Sequence, residues 1–334
     1  MGLANAAYYA QGAAIGREGD FITAPEISQV FGELIGAWLF AQWQVLGAPD
    51  PVRVVELGPG RGALIADLLR VAALRPAFAK AIDLHLVETS KALRARQKQA
   101  LGGRPARWHD SFDEVPEGPL LLVANEFLDA LPVRQWVRRE DGWRERLVGV
   151  ADGRLAFQES PDPDPGAPAI LASAHQAAPL GVIVEHCPTA HALIAKIAQR
   201  IARAGGYALF IDYGPAASAP GDSLQAVRRH RPAPILERPG RADLTAHVDF
   251  QALAETAGLA GVAVFGPLGQ GVWLERLGIV LRTQALIARA PPDTAHALAR
   301  ATQRLIAPTE MGTLFKTMAL APKTSPPPPG YEVS

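Results

Sequence analysis

In the stretch VRVVELGPGRGALI, residues 52–65, β-branched apolar residues are followed by a glutamate and three glycines. Gly58, Gly60 and Gly62 are spaced as in turns that bring a nucleotide close to the backbone. A pyrophosphate is anionic, and Glu56 at the end of the strand would repel it. S-adenosylmethionine has no phosphate and carries an ammonium and a sulfonium, which the same carboxylate would attract. We therefore predict that Glu56 and the three glycines bind S-adenosylmethionine.

A second acidic residue lies where an adenosyl ligand needs one. Glu88 ends the strand-like segment in HLVETS, 26 residues after Gly62. A carboxylate there can accept hydrogen bonds from both ribose hydroxyls, as it also does in dinucleotide enzymes. Asp110 and Ser111 in WHDSF follow a short third strand, and we predict that they contact the adenine amine. The alternative for this pair is a capped turn.

Alternating strands and helices must position these residues. VRVVEL, IDLHLVE and PLLLVANE are strand-like, and residues 63–74 and 91–101 between them have helical periodicity. The alternation resumes with a helix at about 191–204, the strand GGYALFIDYG, a helix near 250–257 and the strands GVAVFG and GTLFKTMAL. Strands joined by helical crossovers predict a parallel sheet, and hence a doubly wound α/β fold whose seven strands form one enlarged domain.

The domain organisation follows from changes in this pattern. We expect residues 1–50 to be a helical segment that packs on the core and residues 51–322 to form the main domain. Within it, an insertion at about 133–188 begins with a hairpin around Asp141-Gly142, and a helical stretch covers about 271–307. The proline-rich residues 323–334 are expected to be a disordered tail.

Composition excludes several classes of protein. The chain has 334 residues, 33 basic and 33 acidic, so its net charge of zero gives no field that favours nucleic acid. Cys187 is the only cysteine, which excludes an internal disulfide and a cysteine-rich zinc site, and the histidines lack metal-ligand spacing. We therefore predict no metal and no nucleic-acid partner. The sequence does not indicate an oligomeric state.

No segment is apolar enough to predict a membrane span. The best candidate, residues 30–47, carries Glu33 and is interpreted as a buried amphipathic helix. The first residues, MGLANAAYYAQG, have neither a basic start nor an apolar run. The predicted location is therefore the cytoplasm.

Several longer motifs resemble the MidA family of methyltransferases. They are GREGDFITAPEISQVFGELIG, VVELGPGRG, HLVETS, ANEFLDALPV, ERPGRADLTAHVDF and MGTLFKTMALAP, and the resemblance extends from about Tyr8 to Pro322. It implies a class I, Rossmann-like methyltransferase fold with an S-adenosylmethionine cofactor. It also implies protein arginine methylation, the activity attributed to mitochondrial relatives that assist the assembly of respiratory complex I.

The segment GDFITAPEIS is specific to that family. By resemblance it borders the cofactor, with Asp20 and Thr23 as the expected contacts, and the alternative is a helix start with Pro25 in its first turn. Family members usually have a helical segment before the tyrosine pair that here is Tyr8-Tyr9. This chain begins almost at that pair, so we expect a lid over the cofactor to be missing or shortened.

Residues that could hold a substrate lie in ANEFLDALPV, at the end of the fourth strand. A guanidinium is cationic below a pKa of about 12, so a carboxylate that orients it and stabilises its charge suits methyl transfer better than a base that deprotonates it first. We predict that Asn125 accepts a hydrogen bond from the nucleophile and that Glu126 pairs with the guanidinium. Asp129 would share a helical face with Glu126. The alternatives are a capping Asn125 and a solvated Asp129.

Weaker candidates lie further along the chain. Asp212 and Tyr213 end the fifth strand and could face the substrate, whereas Asp249 is better explained as a helix cap. The arginine-rich loop 228–241 is expected to be solvated, with a lid over an acidic protein substrate as the alternative.

Three functions remain open from sequence. The first is S-adenosylmethionine-dependent methylation of a protein arginine, linked to respiratory complex I assembly. The second is methylation of a small molecule on the same fold, and the third is a binding or assembly factor that holds the cofactor without turnover. The carboxylates of Glu126 and Asp129 favour the first over the third.

Overall fold

A computed structural model describes residues 1–10, 23–171, 175, 178–228 and 231–332. Its strands are β1 (Val52–Leu57), β2 (Ile82–Val87), β3 (Arg107–His109), β4 (Leu120–Asn125), β5 (Arg134–Arg139), β6 (Gly142–Ala151), β7 (Arg154–Glu159), β8 (Ile183–His186), β9 (Gly206–Tyr213), β10 (Gln225–Arg228), β11 (Arg231–Ala233), β12 (Asp243–Thr245), β13 (Val262–Gly269) and β14 (Phe315–Pro322).

The α-helices lie between and around these strands. They are α1 (Gly2–Ala10), α2 (Ala24–Ile27), α3 (Gln29–Val45), α4 (Ala63–Ala72), α5 (Pro76–Ala81), α6 (Lys91–Leu101), α7 (Ala167–Ile170), α8 (Pro188–Ala204), α9 (Phe250–Leu259), α10 (Gln270–Arg276), α11 (Ile279–Ile287), α12 (Pro292–Ile306) and α13 (Met311–Leu314). A short 3₁₀ turn covers Phe112–Glu114. Among the described residues, no helix is long and apolar enough to cross a membrane.

The central sheet has seven strands in the order β13-β14-β9-β4-β1-β2-β3. Strands β3, β2, β1, β4 and β9 are parallel, and β14 runs antiparallel between β9 and β13. The chain leaves β1 toward one edge and returns through β4 toward the other, so the carboxyl ends of β1 and β4 border a crevice where such folds bind ligands. The predicted doubly wound α/β fold is confirmed.

Apolar helix faces cover both sides of this sheet. On one side α3 packs on α4 and buries Phe31, Ile35 and Trp38, and on the other side α8 buries Ile194 and Ile197. Strand β4 is buried along its whole length, as expected for a central parallel strand. The side chains that follow these strands are therefore held on a rigid frame.

The predicted insertion forms a sheet of its own, in the order β7-β6-β5-β8. The hairpin expected at Asp141-Gly142 joins β5 to β6, and Gly142 has a positive φ of 140°. Four short strands escape the sequence analysis. Strand β8 completes this sheet, and β10, β11 and β12 form a small antiparallel sheet of their own.

The prediction of a disordered tail is wrong for residues 323–332, which pack on the core. Tyr331 is buried, with its ring 6.3 Å from that of Trp273. The Trp38 indole N–H donates to the Pro329 carbonyl at 3.1 Å, and the Arg276 guanidinium donates to the Gly330 carbonyl. The proline-rich composition suggests disorder, but one buried aromatic and two backbone contacts fix the segment.

Candidate active site

A cavity of about 370 Å³ lies at the carboxyl ends of β1, β2 and β4. Its walls come from α1, the start of α2, the glycine turn and the segment after β4. The predicted site residues that line it are Thr23, Glu56, Gly58, Gly60, Glu88, Asp110, Asn125 and Glu126. Residues widely separated in sequence meet here because parallel strands end at one edge of the sheet.

The glycine turn forms one wall of the cavity with its backbone. Gly58 and Gly60 have φ values of +61° and +53°, which favour glycine. A Cβ at Gly58 would lie 2.6 Å from the Phe127 ring, so the turn approaches the segment after β4 closely. The Gly60 carbonyl accepts a hydrogen bond from the Gln97 amide at 2.9 Å. The turn is therefore fixed and presents backbone rather than side chains to a ligand.

Two predicted cofactor contacts, Gly62 and Ser111, lie outside the cavity lining. Gly62 does not line the cavity, because it faces α6, where an added Cβ would lie 3.1 Å from the Cβ of Ala100. Its role here is to let α4 and α6 approach each other. Ser111 begins the 3₁₀ turn and also lies outside the lining, whereas Asp110 is at the rim and accepts from Arg94 at 2.5 Å. Asp20 lies outside the described residues.

Glu56 is a buried carboxyl at the end of β1. It is 3% exposed, and its Oε2 has no hydrogen-bond donor among the described residues. Burial, and then the charge of Glu88, raise the pKa of Glu56 to about 8. An unpaired buried carboxylate is costly, so this site favours a cationic group of a ligand.

Glu88, in contrast, is held by hydrogen bonds. Its Oε1 accepts from the Ser90 backbone N–H at 2.8 Å and its Oε2 from the Gln97 amide at 3.2 Å. Gln97 in turn accepts from the Trp108 indole N–H at 2.8 Å. Burial raises the pKa of Glu88 above its ordinary value. These contacts fix the direction of the carboxylate, as a ribose acceptor requires.

Glu126 and Asn125 form the opposite wall. Glu126 has a left-handed backbone with φ +50°, a conformation that costs about 1–3 kcal/mol and concentrates at functional sites. Its Oε1 accepts from the Ala24 backbone N–H at 2.9 Å and from the Asn125 amide at 3.1 Å. The Asn125 Oδ1 is buried and has no donor in the described part of the chain. Burial is the main cause that raises the pKa of Glu126 to about 7.

The expectation that Asp129 shares a helical face with Glu126 is wrong. The segment after β4 forms no helix, because the Asp212 Oδ2 accepts from the backbone N–H groups of residues 127–129 at 2.9–3.2 Å. Asp129 does not line the cavity and accepts a hydrogen bond from Tyr213. Burial and neighbouring carboxylates raise its pKa. Asp212 therefore holds a turn, and Asp129 belongs to a network behind it.

The sequence analysis misses the contribution of α1. Asn5 and Tyr9 line the cavity, and the Tyr9 hydroxyl donates to Asp243 at 2.8 Å. The Asn5 amide donates to the carbonyls of Ala130 and Leu244. Helix α1 therefore covers this side of the cavity, where the sequence analysis expected a missing or shortened lid. The sequence signal for this helix is the tyrosine pair Tyr8-Tyr9, which also marks the start of the family pattern.

A larger cavity of about 740 Å³ lies beside the start of α8 and contains none of the predicted cofactor or catalytic residues. Asp249 and His247 line it. The Asp249 side chain accepts from the Ala252 backbone N–H at 3.0 Å, which confirms the predicted cap of α9. Within the described ranges, no cluster of histidine, cysteine and carboxylate side chains could hold a metal ion.

The family described as "Putative S-adenosyl-L-methionine-dependent methyltransferase" matches residues 34–268. The chain belongs to the MidA family. This membership confirms the class that the glycine turn and its acids predict. The chain is thus an S-adenosylmethionine-dependent methyltransferase with a class I fold.

Curated relatives cover nearly the whole chain. "Protein arginine methyltransferase NDUFAF7, mitochondrial" of Danio rerio is 36% identical over 335 residues, which are 92% of this chain and 78% of the relative. The proteins of that name in Mus musculus and Homo sapiens are 37% and 35% identical, over 94% of this chain and 77% and 76% of theirs. The prediction of a cytoplasmic location is contradicted by these names, because each of these MidA relatives is called mitochondrial.

Two solved structures of Burkholderia thailandensis proteins are similar throughout. One, bound to S-adenosyl-homocysteine, is 30% identical with a TM-score of 0.78 and covers 97% of this chain and 83% of its own. The other is 31% identical with a TM-score of 0.80 and covers 98% and 88%. The bound product in a MidA-like fold confirms S-adenosylmethionine as the cofactor.

Proposed function

We propose that this protein transfers the methyl group of S-adenosylmethionine to an arginine side chain of a protein. One observation carries the proposal: among the described residues, the cavity lining contains four glutamates, one arginine, Arg61, and no lysine. The glutamates are Glu26, Glu56, Glu88 and Glu126. One cationic cofactor needs fewer carboxylates than this, so the additional ones favour a second cation at the same site.

The cofactor side of the cavity comprises Glu56, Glu88 and the glycine turn. The unpaired Oε2 of Glu56 fits an ammonium group, and the fixed carboxylate of Glu88 fits a ribose diol. When bound, the cofactor supplies an electrophilic methyl group on a sulfonium. The residues present therefore fit the cofactor, and their task is to bind it and to exclude water from the methyl group.

The substrate side comprises Glu126 and Asn125. Glu126 orients the guanidinium and stabilises its charge, while Asn125 Oδ1 accepts a hydrogen bond from the reacting nitrogen. As the new N–C bond forms, the C–S bond breaks and its electron pair stays on sulfur. The extra proton on nitrogen then leaves to Glu126, whose pKa of about 7 suits an acceptor at neutral pH. The methylated guanidinium keeps one positive charge.

The curated relatives support the arginine assignment, since their name states protein arginine methylation. A role in assembling respiratory complex I, which the family resemblance implies, is part of this proposal. The test is incubation with methyl-labelled cofactor and mitochondrial extract, followed by acid hydrolysis of the protein fraction. Labelled methylarginine is the expected product. Label only in the low-mass fraction would replace the proposal with a small-molecule substrate, and cofactor binding without transfer would replace it with a binding factor.

A further inference from the structure

Glu26 is a glutamate of the cavity to which no role has been given. It lies in α2 and lines the same cavity as Glu126. Its Oε2 is buried without a hydrogen-bond partner among the described residues, and its side chain is 14% exposed. Burial raises the pKa of Glu26. The hydrogen bond from Ala24 to Glu126 joins α2 to the end of β4, so the two glutamates share one wall.

The contact that Glu26 makes with a cation is weak. Its Oε1 lies 3.8 Å from the Arg61 guanidinium, and the Arg61 side chain is 46% exposed. An ion pair this long and this exposed contributes little, so a ligand cation could replace it at small cost. Glu26 also accepts a hydrogen bond from the Thr23 backbone, so it is the unpartnered Oε2 that is available to a ligand.

The same part of the cavity contains an independent unpaired acceptor. Asn125 is 9% exposed, and its Oδ1 has no donor in the described part of the chain. Its amide group already donates to Glu126, which fixes the direction of the oxygen. Both hydrogen bonds of Glu126 end on Oε1, which leaves its Oε2 for a further donor. Among the described residues, one oxygen of Glu26, one oxygen of Glu126 and the amide oxygen of Asn125 thus have no donor in this cavity.

We propose that Glu26 and Glu126 form a two-carboxylate subsite for the guanidinium of the substrate arginine. This inference rests on the proposed function and puts Glu26, rather than Asp129, beside Glu126. A guanidinium has five N–H donors in one plane, so two carboxylates can accept from different N–H groups while another N–H, on the reacting nitrogen, donates to Asn125 Oδ1. A lysine ammonium has no planar fork and fits this subsite less well.

The test compares Glu26→Gln, Glu126→Gln and the control Glu140→Gln, in which an exposed hairpin residue is changed. Calorimetry with S-adenosyl-homocysteine should give the wild-type affinity for all three variants. The saturated complexes are then titrated with N-acetyl-arginine methylamide, with the corresponding lysine compound as the specificity control. Wild type and Glu140→Gln should bind the arginine compound at least about tenfold more tightly than either cavity variant.

Kinetics with the unmethylated protein fraction that wild type methylates distinguish failure of the subsite from failure of the proposed function. Glu26→Gln should lower kcat/KM for the protein acceptor by about tenfold or more, mainly through KM. If wild type methylates arginine and Glu26→Gln does so equally well, the subsite is wrong and the proposed function stands. If wild type methylates no arginine, the proposed function fails, and binding of the arginine compound still decides the subsite. A large loss of S-adenosyl-homocysteine affinity in Glu26→Gln would assign Glu26 to the cofactor and overturn the inference.

Discussion

The backbone N–H of Ala24 donates to the Glu126 carboxylate at 2.9 Å, although 102 residues separate them in sequence. This bond ties the segment before α3 to the left-handed residue at the end of β4. It leaves one oxygen of Glu126 for a substrate and joins α2 to the substrate side of the cavity. The reactivity of the site should therefore follow the ionisation of Glu126.

The acid limb of the pH profile should report Glu126. Burial raises its pKa to about 7, so below that pH the carboxyl is neutral and does not attract a guanidinium. At saturating cofactor, kcat/KM for the protein acceptor should rise with pH and level off above an apparent pKa of about 7. Initial rates between pH 5.5 and 8.5 measure this. A flat profile over that range would contradict the assignment of Glu126 to the substrate.

Cofactor affinity should depend on pH through Glu56. Its pKa is raised to about 8 in the free protein, so the carboxyl is protonated at neutral pH, and a cationic ligand favours the ionised form. Binding should therefore release a proton, and affinity should fall by roughly fivefold between pH 8 and pH 7. Calorimetry with S-adenosyl-homocysteine in buffers of different ionisation enthalpy measures both effects. Glu56→Gln should remove them, and retention of the proton release in that variant would assign it to another group.

The close approach at the glycine turn gives a steric prediction. Gly60→Val places a branched side chain in the lining and should weaken binding of S-adenosyl-homocysteine by at least about 100-fold. Its φ of +53° adds backbone strain of roughly 1–2 kcal/mol. Gly102→Val is the matched control, because Gly102 has φ +59° and open space around an added Cβ. Equal binding losses in both variants would show that strain rather than occupied space is responsible.

Asp212 should matter for stability because it satisfies the backbone of the turn after β4. Asp212→Ala leaves three N–H groups without their acceptor and should lower the free energy of unfolding by about 3 kcal/mol. Asp249→Ala, which removes a helix cap, should cost only about 1 kcal/mol. Urea denaturation followed by circular dichroism compares the two. A smaller loss for Asp212 than for Asp249 would contradict the role of Asp212 in holding the turn.

The cofactor side of the site is predictable because its signals are local. A buried strand, a glycine turn and an acid at a strand end are adjacent in sequence, and a parallel sheet brings such ends to one edge. Glu56 and Glu88 therefore line one cavity as the sequence predicts. The location of Gly62 shows the limit of this reasoning, because a glycine in the pattern can serve helix packing instead of ligand contact.

The substrate side depends on contacts between distant residues. The direction of Asp129 is decided by Asp212, 83 residues later, and the position of Glu26 by the contact of Ala24 with Glu126. Neither of these two contacts can be inferred from helical periodicity. The packed tail is similar, since one tyrosine outweighs a composition typical of disorder. Long-range hydrogen bonds and single buried aromatics are the features that sequence patterns miss.

The central claim is that the carboxylates of the cavity divide between cofactor and substrate. Glu126→Gln should reduce methyl transfer to a protein arginine by about 100-fold or more, because a preorganised charge partner is lost. Its affinity for S-adenosyl-homocysteine should stay within about twofold of wild type. Glu88→Gln should weaken that affinity by about tenfold or more, because the ribose acceptor loses its charge.

The most direct measurement is therefore calorimetry of both variants with S-adenosyl-homocysteine, combined with transfer rates at saturating cofactor. The account predicts that Glu88→Gln regains most of its rate when the cofactor is saturating, whereas Glu126→Gln remains inactive with the cofactor bound. Wild-type arginine methylation by Glu126→Gln, or an equal loss of cofactor affinity in both variants, would contradict the division.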